Sequence, residues 1–417
     1  MNGSRFASLR PLRHRQFFLV WSAALVSNVG TWMQTIAVGT LVTELTGRAS
    51  GAGFVAAAGF LPIGILSPIG GALADRVDRR RFLLLTTIGE AFFATLLAVI
   101  YAAGHADEVT VSLAVFGGGC MAALGFPCYQ AMLPDLVGTE DLLGAVSLSS
   151  AQFNLGRVIG PALAGLVIHL GSYSWAFVIN AGSFFATVLA LLAVRVPPPP
   201  GTAGASLWQR ITDGARTARN EPGCWTALNL AFVMALCASP FIALIPAVAV
   251  VLFHGDAGTT SVLVTAQGVG AVIGALALAP LAERYGRRQM LVANLFLLPA
   301  ALVVYAAAPS LWTAALGLVL VGATYISVFS GMNVVIQLQA PAEYRARVLS
   351  LYFVVVGVVY PLGAALQGRI ADLHGLRLTT AGGAVAMVVV VALVAVVRPA
   401  RLRSLDDVHT DHALDGP

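Results

Sequence analysis

The chain is 417 residues long, 58% hydrophobic and only 10% charged, with a mean hydropathy of +0.85. A soluble domain must cover its core with polar surface, so this balance excludes one and points to an integral membrane protein. The net charge of +5 rests on arginine alone, with no lysine, and the arginines lie in short loops between apolar runs, which argues against a nucleic-acid-binding face.

The basic N-terminal stretch "MNGSRFASLRPLRHRQ" leads into an apolar run from Phe17 to Val42. That run is too long for the core of a signal peptide and no small-residue cleavage site follows, so it reads as an uncleaved first helix. Twelve spans are predicted in all, at 17–42, 51–74, 82–103, 109–133, 143–169, 173–195, 223–252, 258–281, 289–307, 311–338, 347–371 and 379–397. Each is near or above the roughly 20 residues that cross ~30 Å of hydrocarbon. In lipid each must be helical, because only a helix satisfies its own backbone polar groups. The expected fold is therefore an all-α integral membrane protein of twelve transmembrane helices.

One long break interrupts the series. Residues 196–222 open on four prolines, a stiff extended start, and continue with Leu207, Ile211 and Ala215 at helical spacing. That pattern predicts a short amphipathic helix on the inner membrane surface. It divides the chain into a six-helix half at 1–195, a cytoplasmic linker at 196–222, a second half at 223–397 and a cytoplasmic tail at 398–417. With both termini inside, twenty of the 24 arginines fall in cytoplasmic segments, a strong positive-inside bias.

The halves are related to each other. "GALADRVDRRRFLLL" at 71–85 places six charges in fifteen residues after the second span. "LAERYGRRQML" at 281–291 returns after the eighth, so Asp75-Arg76 aligns with Glu283-Arg284 and Arg79-Arg80 with Arg287-Arg288. "LPDLVGTEDLL" at 133–143 likewise matches "QAPAEYRARVL" at 339–349, each before the fifth span of its half. Parallel repeats of this kind are the architecture of a secondary transporter.

"GGALADRVDRRR" resembles the loop 2–3 signature of the major facilitator superfamily. With "SNVGTWMQTIAVGTLVTELTG" and "LPDLVGTEDLLGAVSLSSAQFNLGRVIGPALAG" it resembles the bacterial efflux branch, which includes enterobactin-exporter-like and macrolide-efflux-like proteins. The resemblance covers about residues 12–397. It implies that the signature loop is a gating latch. Gly71 then allows close helix approach, Asp75 accepts hydrogen bonds from a helix end, and Arg76, Arg79 and Arg80 pair with nearby acids. Glu283, Arg284, Arg287 and Arg288 are the second copy. Asp78 stands where the family usually has glycine. "GRVIGPALAG" resembles the antiporter signature of the fifth span, with Gly160 and Pro161 as its kink, although Ser147 replaces the first glycine of the full signature.

Ionisable groups inside spans are costly and usually functional. Glu90 is the candidate proton site, because hydrocarbon favours the protonated carboxyl and lets it exchange a proton in the working range. The alternative is a neutral, hydrogen-bonded structural acid. Arg157 is either its counter-charge, a binder of anionic substrate, or a structural gate residue, and the fourth span lacks the arginine that many proton-coupled members carry. Asn28, Thr31, Gln34, Gln152, Asn154, Asn229 and Asn333 are candidate cavity residues, each equally readable as an interhelical hydrogen bond. A cavity with few charges suits a hydrophobic or amphipathic small molecule.

The expected function is a transporter of the plasma membrane that exports such molecules by alternating access and proton antiport. An importer would need a strongly polar cavity, and a non-transporting sensor would be favoured by loss of the latch charges, which are intact. No nucleophile, zinc, dinucleotide or phosphate-binding motif supports an enzyme. Cys120, Cys128, Cys224 and Cys237 have no metal-ligand spacing, so neither metal nor cofactor is expected. The expected partners are the small-molecule substrate, protons and the lipid bilayer, with the protein a monomer.

Overall fold

The computed structural model describes residues 7–74, 76–197, 207–341 and 343–406. A 3-10 turn at Ala7–Arg13 precedes fourteen helices. These are α1 Arg15–Thr46, α2 Ala49–Ala74, α3 Arg79–Ala102, α4 Glu108–Gly138, α5 Glu140–Leu170, α6 Tyr173–Ala193, α7 Leu207–Asn220, α8 Pro222–Leu252, α9 Ala257–Tyr285, α10 Arg287–Ala307, α11 Leu311–Gln339, α12 Arg345–His374, α13 Leu376–Val397 and α14 Pro399–Arg403. No strand occurs among the described residues.

Eleven of these helices, α2 to α6 and α8 to α13, are both long and apolar enough to cross a membrane. The expected count of twelve is met only if α1 is added. At 32 residues it is ample in length, but Asn28, Thr31, Trp32, Gln34 and Thr35 dilute its middle and lower its hydropathy. Asn28, Thr31 and Gln34 are candidate cavity residues, so the shortfall and the candidate site share one cause. A helix, α7, occupies the second part of the linker, while residues 198–206 lie outside the described residues.

Local chemistry sets the helix ends. α4 and α5 form one continuous run broken only at Gly138, whose φ of 73° and ψ of 175° are open to glycine and strained for other residues. α4 starts on a capping box, in which Asp107 accepts from the backbone of Val109 and Thr110 while Thr110 bonds back. The Thr110 backbone hydrogen bond, chiefly, holds the Asp107 carboxyl below the usual carboxylate range. α11 starts on the same device, built from Ser310 and Thr313.

Small residues then let helices meet backbone to backbone. A Cβ added at Gly70 of α2 would lie 2.7 Å from the Leu124 carbonyl of α4, and one at Gly119 of α4 would lie 2.5 Å from the Gly59 carbonyl of α2. The second half repeats this between α9 and α11, where Gly270 and Gly274 press on the Val319 and Ala323 carbonyls and Gly322 on that of Gln267. Without a hydrophobic drive between helices in lipid, such close van der Waals contact is a main source of association.

The chain forms two compact units. The first holds residues 1–204 with 242–265 and 364–373, and the second holds 205–241, 266–363 and 374–417. The unit boundary at Phe241–Ile242 falls in α8, a helix wound as π-helix at Met234–Ala238 and again at Val248–Leu252. Such π segments inside α-helices recur at functional sites.

Candidate functional site

In the first unit, α1 and α5 are pressed together by two glycines one turn apart. A Cβ at Gly156 would lie 2.9 Å from Asn28 Cβ, and one at Gly160 would lie 2.6 Å from Trp32 Cβ and 2.8 Å from the Val29 carbonyl. The backbone through Gly160 and Pro161 keeps helical dihedrals, and the glycines of this signature form a packing face. Beside it the Trp32 ring meets Phe153 edge-on at 5.8 Å, and the Arg157 guanidinium sits 5.7 Å over Trp32. A cation over an indole face is held by the ring quadrupole. Asn28 is half-buried at the same interface, while Thr31 and Asn154 are exposed at the middles of their helices. Asn154 donates to the Ser150 carbonyl of its own helix. Asn28 and Arg157 are therefore brought onto one α1–α5 surface with two aromatic rings, and exposed Thr31 and Asn154 adjoin those rings in the chain.

Two cavity candidates turn elsewhere. Gln34 accepts from Asn180 Nδ2 at 2.9 Å, and Asn180, fully buried in α6, also accepts from Ser183. Gln152 is buried against α4, where Tyr129 donates to it at 3.3 Å and also bonds Ser149. Both glutamines are interhelical hydrogen bonds of the first unit. Asn180 was invisible to sequence reasoning because one asparagine in a long apolar run carries no periodic signal.

Glu90 is the twelfth of the 24 residues of α3. It is half-buried and makes no hydrogen bond or ion pair among the described residues, so it is not bridged to Arg157.

The second unit carries an aromatic row that sequence reading missed. Phe241 packs edge-on against Tyr325 at 5.8 Å, Tyr325 stacks on Phe329, Phe329 meets Tyr352, and Tyr352 meets Phe353 at 5.4 Å. Ser239 bonds the Tyr325 hydroxyl, and Tyr352 donates to the Phe329 carbonyl at 2.9 Å. The row runs from fully buried Tyr352 and Phe241 to exposed Phe353. Of the candidates here, Asn229 is exposed and bonds its own helix at the Trp225 carbonyl, and Asn333 accepts from Gln337 one turn on.

The two signature loops differ. Arg79 donates to the carbonyls of Ala74 and Ala131, both at 3.1 Å, and pairs with Asp135 at 3.0 Å. Arg80 caps the end of α6 instead of meeting an acid, donating to the Leu191 and Leu192 carbonyls at 2.6 and 3.1 Å. Asp78 is the N-cap of α3 and pairs with Arg81. Arg76 is exposed, and Asp75 lies outside the described residues. The close approach expected of Gly71 falls on Gly70, since a Cβ at Gly71 would meet only Pro127 at 4.0 Å. In the second loop Arg284 lies over the Tyr285 ring at 5.3 Å, and Glu283, Arg287 and Arg288 form no side-chain hydrogen bond or ion pair among the described residues.

The loop 4–5 repeat also holds a surface segment in each half. Asp141 takes Arg10 at 3.1 Å and His14 at 2.7 Å, tying down the turn before α1. Arg347, the aligned residue, takes Asp213 of α7 at 2.7 Å, tying down the helix before α8. The positions correspond and the charges are reversed.

At one end of the first unit, parts of the second set of helices are built into it. Thr40 donates to Thr260 at 3.2 Å, Gly165 lies against Ser261, and Gly53 against the Ala364 carbonyl. Asp372, near the end of α12, accepts from the backbone N–H of Ala49 at 2.7 Å and of Ser50 at 3.2 Å. A carboxylate thus caps the free N-terminus of α2 from 323 residues away. Asp372→Ala should remove a cap worth about 1 kcal/mol and shift any opening of this end roughly fivefold. Labelling of a cysteine placed at Thr260 reads that opening. Unchanged labelling would show that the cap does not hold this end shut.

Residues 6–417 match the family described as transmembrane secretion effector. The chain is 29% identical over 401 residues to the multidrug efflux pump Tap of Mycolicibacterium fortuitum, covering 93% of this chain and 96% of that one. It is 22% identical over 373 residues to macrolide efflux protein A of Streptococcus pyogenes, covering 87% and 91%. Among solved structures it superposes on a bacterial homologue of the human lysosomal transporter Spinster with a TM-score of 0.74 at 14% identity, covering 92% and 96%.

Proposed function

We propose that this chain, which belongs to the transmembrane secretion effector family of the major facilitator superfamily, exports hydrophobic or amphipathic small molecules by alternating access. The relatives named for efflux support export, and their likeness spans nearly the whole chain. The observation that carries the substrate class is the α1–α5 surface. Exposed Thr31 and Asn154 at mid-span would be costly against hydrocarbon, so they line water or substrate. Beside them Trp32, Phe153 and Arg157 offer two ring faces and one cation, which suits a flat apolar body with a polar group.

Glu90 is the proton carrier in this reading, and protons entering drive the solute out. The arginine bias supports an orientation with both termini and the two signature loops in the cytoplasm of a bacterial plasma membrane and the Asp372 end outside. The halves before and after the linker then act as the two rocking bodies of a monomer.

The test is uptake of an amphipathic fluorescent dye into inverted membrane vesicles energised by an inward-acid gradient. Accumulation above vesicles lacking the protein, abolished by a protonophore, is expected, and Trp32→Ala should raise the half-saturating dye concentration about tenfold. Accumulation that ignores the protonophore would overturn proton coupling.

A further inference from the structure

The same arginine motif is used differently in the two halves. In the first, Arg79 and Arg80 spend their guanidinium groups on Asp135 and on four backbone carbonyls. In the second, the matching Arg287 and Arg288 have no side-chain partner among the described residues. Arg288 instead lines a cavity of about 360 Å³ with Gln289, Val292, Ala293, Leu402 and Arg403. Among the described residues no acidic side chain lines it, so the two cations share one space without a counter-charge there.

The cavity is held in shape by the chain around it. α14 carries Leu402 and Arg403 over α10, and the turn that follows is pinned where Gln339 donates to the Ser404 carbonyl at 2.7 Å. Gly223 presses on the same carbonyl, and Ser404 and Leu405 are buried. The lining also has an order along α10. Arg288 and Gln289 lie in its first turn, and Val292 and Ala293 in the next, deeper into the span. A polar, cationic mouth over an apolar wall is the profile of a phospholipid that meets the bilayer at its interface.

We propose that this cavity binds an anionic phospholipid, its phosphate between Arg288 and Arg403 and its glycerol and first acyl carbons against Val292, Ala293 and Leu402. The first turn of α10 adds its unpaired backbone N–H groups to the attraction.

The full-length protein in nanodiscs of phosphatidylethanolamine and phosphatidylglycerol tests this, with retained phosphatidylglycerol counted by native mass spectrometry. The double substitution Arg288→Gln/Arg403→Gln should lose one retained phosphatidylglycerol and weaken its binding roughly thirtyfold, at about fivefold per arginine. Arg398→Gln/Arg401→Gln, which removes two neighbouring charges outside the cavity, should retain it. Equal retention in the two double variants overturns the proposal. Displacement of the lipid by excess inorganic phosphate would assign the cavity to a soluble anion and overturn it too. So would retention that appears only after removal of the residues beyond Asp406, because the chain's own acidic tail would then be the occupant.

Discussion

Vesicles carrying Glu90→Gln should bind dye and fail to concentrate it. Glutamine matches glutamate in size and keeps a polar tip, so α3 and its neighbours should pack unchanged, and detergent-solubilised protein should melt like the wild type. What is lost is the exchangeable proton. A side chain at mid-helix with no hydrogen bond or ion pair among the described residues is not a structural tie, and its removal should cost little stability. The effect should fall on coupling. Accumulation driven by the proton gradient should drop to the level of protonophore-treated wild type, while dye equilibration down its own gradient persists. Glu90→Asp, which keeps the acid on a shorter stem, should restore part of the accumulation. Full gradient-driven accumulation by Glu90→Gln would place the proton elsewhere and leave Glu90 without a transport role.

The second large effect is expected at Arg79, on stability. Its side chain is 15% exposed and its partner Asp135 22% exposed. Three acceptors depend on it: the last carbonyl of α2, a carbonyl of α4 and one carboxylate. Removing the cation takes a donor from all three, although the Ala131 carbonyl keeps its own helix bond, so Arg79→Gln should cost about 2 kcal/mol, discounted from the figure for a fully buried pair because both groups still touch solvent. Asp135→Asn should cost about half as much, because Arg79 keeps its two carbonyls. Arg76→Gln should leave the melting temperature unchanged, since that side chain is exposed. Arg76→Gln therefore separates the latch from the scaffold. Loss of transport at unchanged melting temperature would mean that Arg76 pairs in another conformation of the cycle, as a bistable latch requires. If Arg79→Gln melts like the wild type, the first loop is not the clamp its hydrogen bonds describe.

The sequence by itself determined that the chain is an all-helical membrane protein with an internal repeat. Apolar length and arginine placement are one-dimensional quantities, and the bilayer converts them directly into spans. The linker helix was legible for the same reason, since amphipathic spacing is a local signal, whereas the fifth span, expected from 143, starts at Glu140 because the chain turns at Gly138. Partnership between helices was not legible. Gln34 and Asn28 lie within seven residues on α1, yet Gln34 turns to Asn180 while Asn28 meets α5 at Gly156. A helix has faces all round, and only its neighbours decide which of them opens on a cavity. The same holds for the charges. Two copies of one arginine motif look alike in the chain, but α6 ends where its carbonyls can meet Arg80, whereas α14 brings a second arginine to Arg288. Asp372 gives the plainest case. It reads as one acid near a helix end, and it becomes the cap of α2 because tertiary packing brings the end of α12 to a helix start 323 residues away.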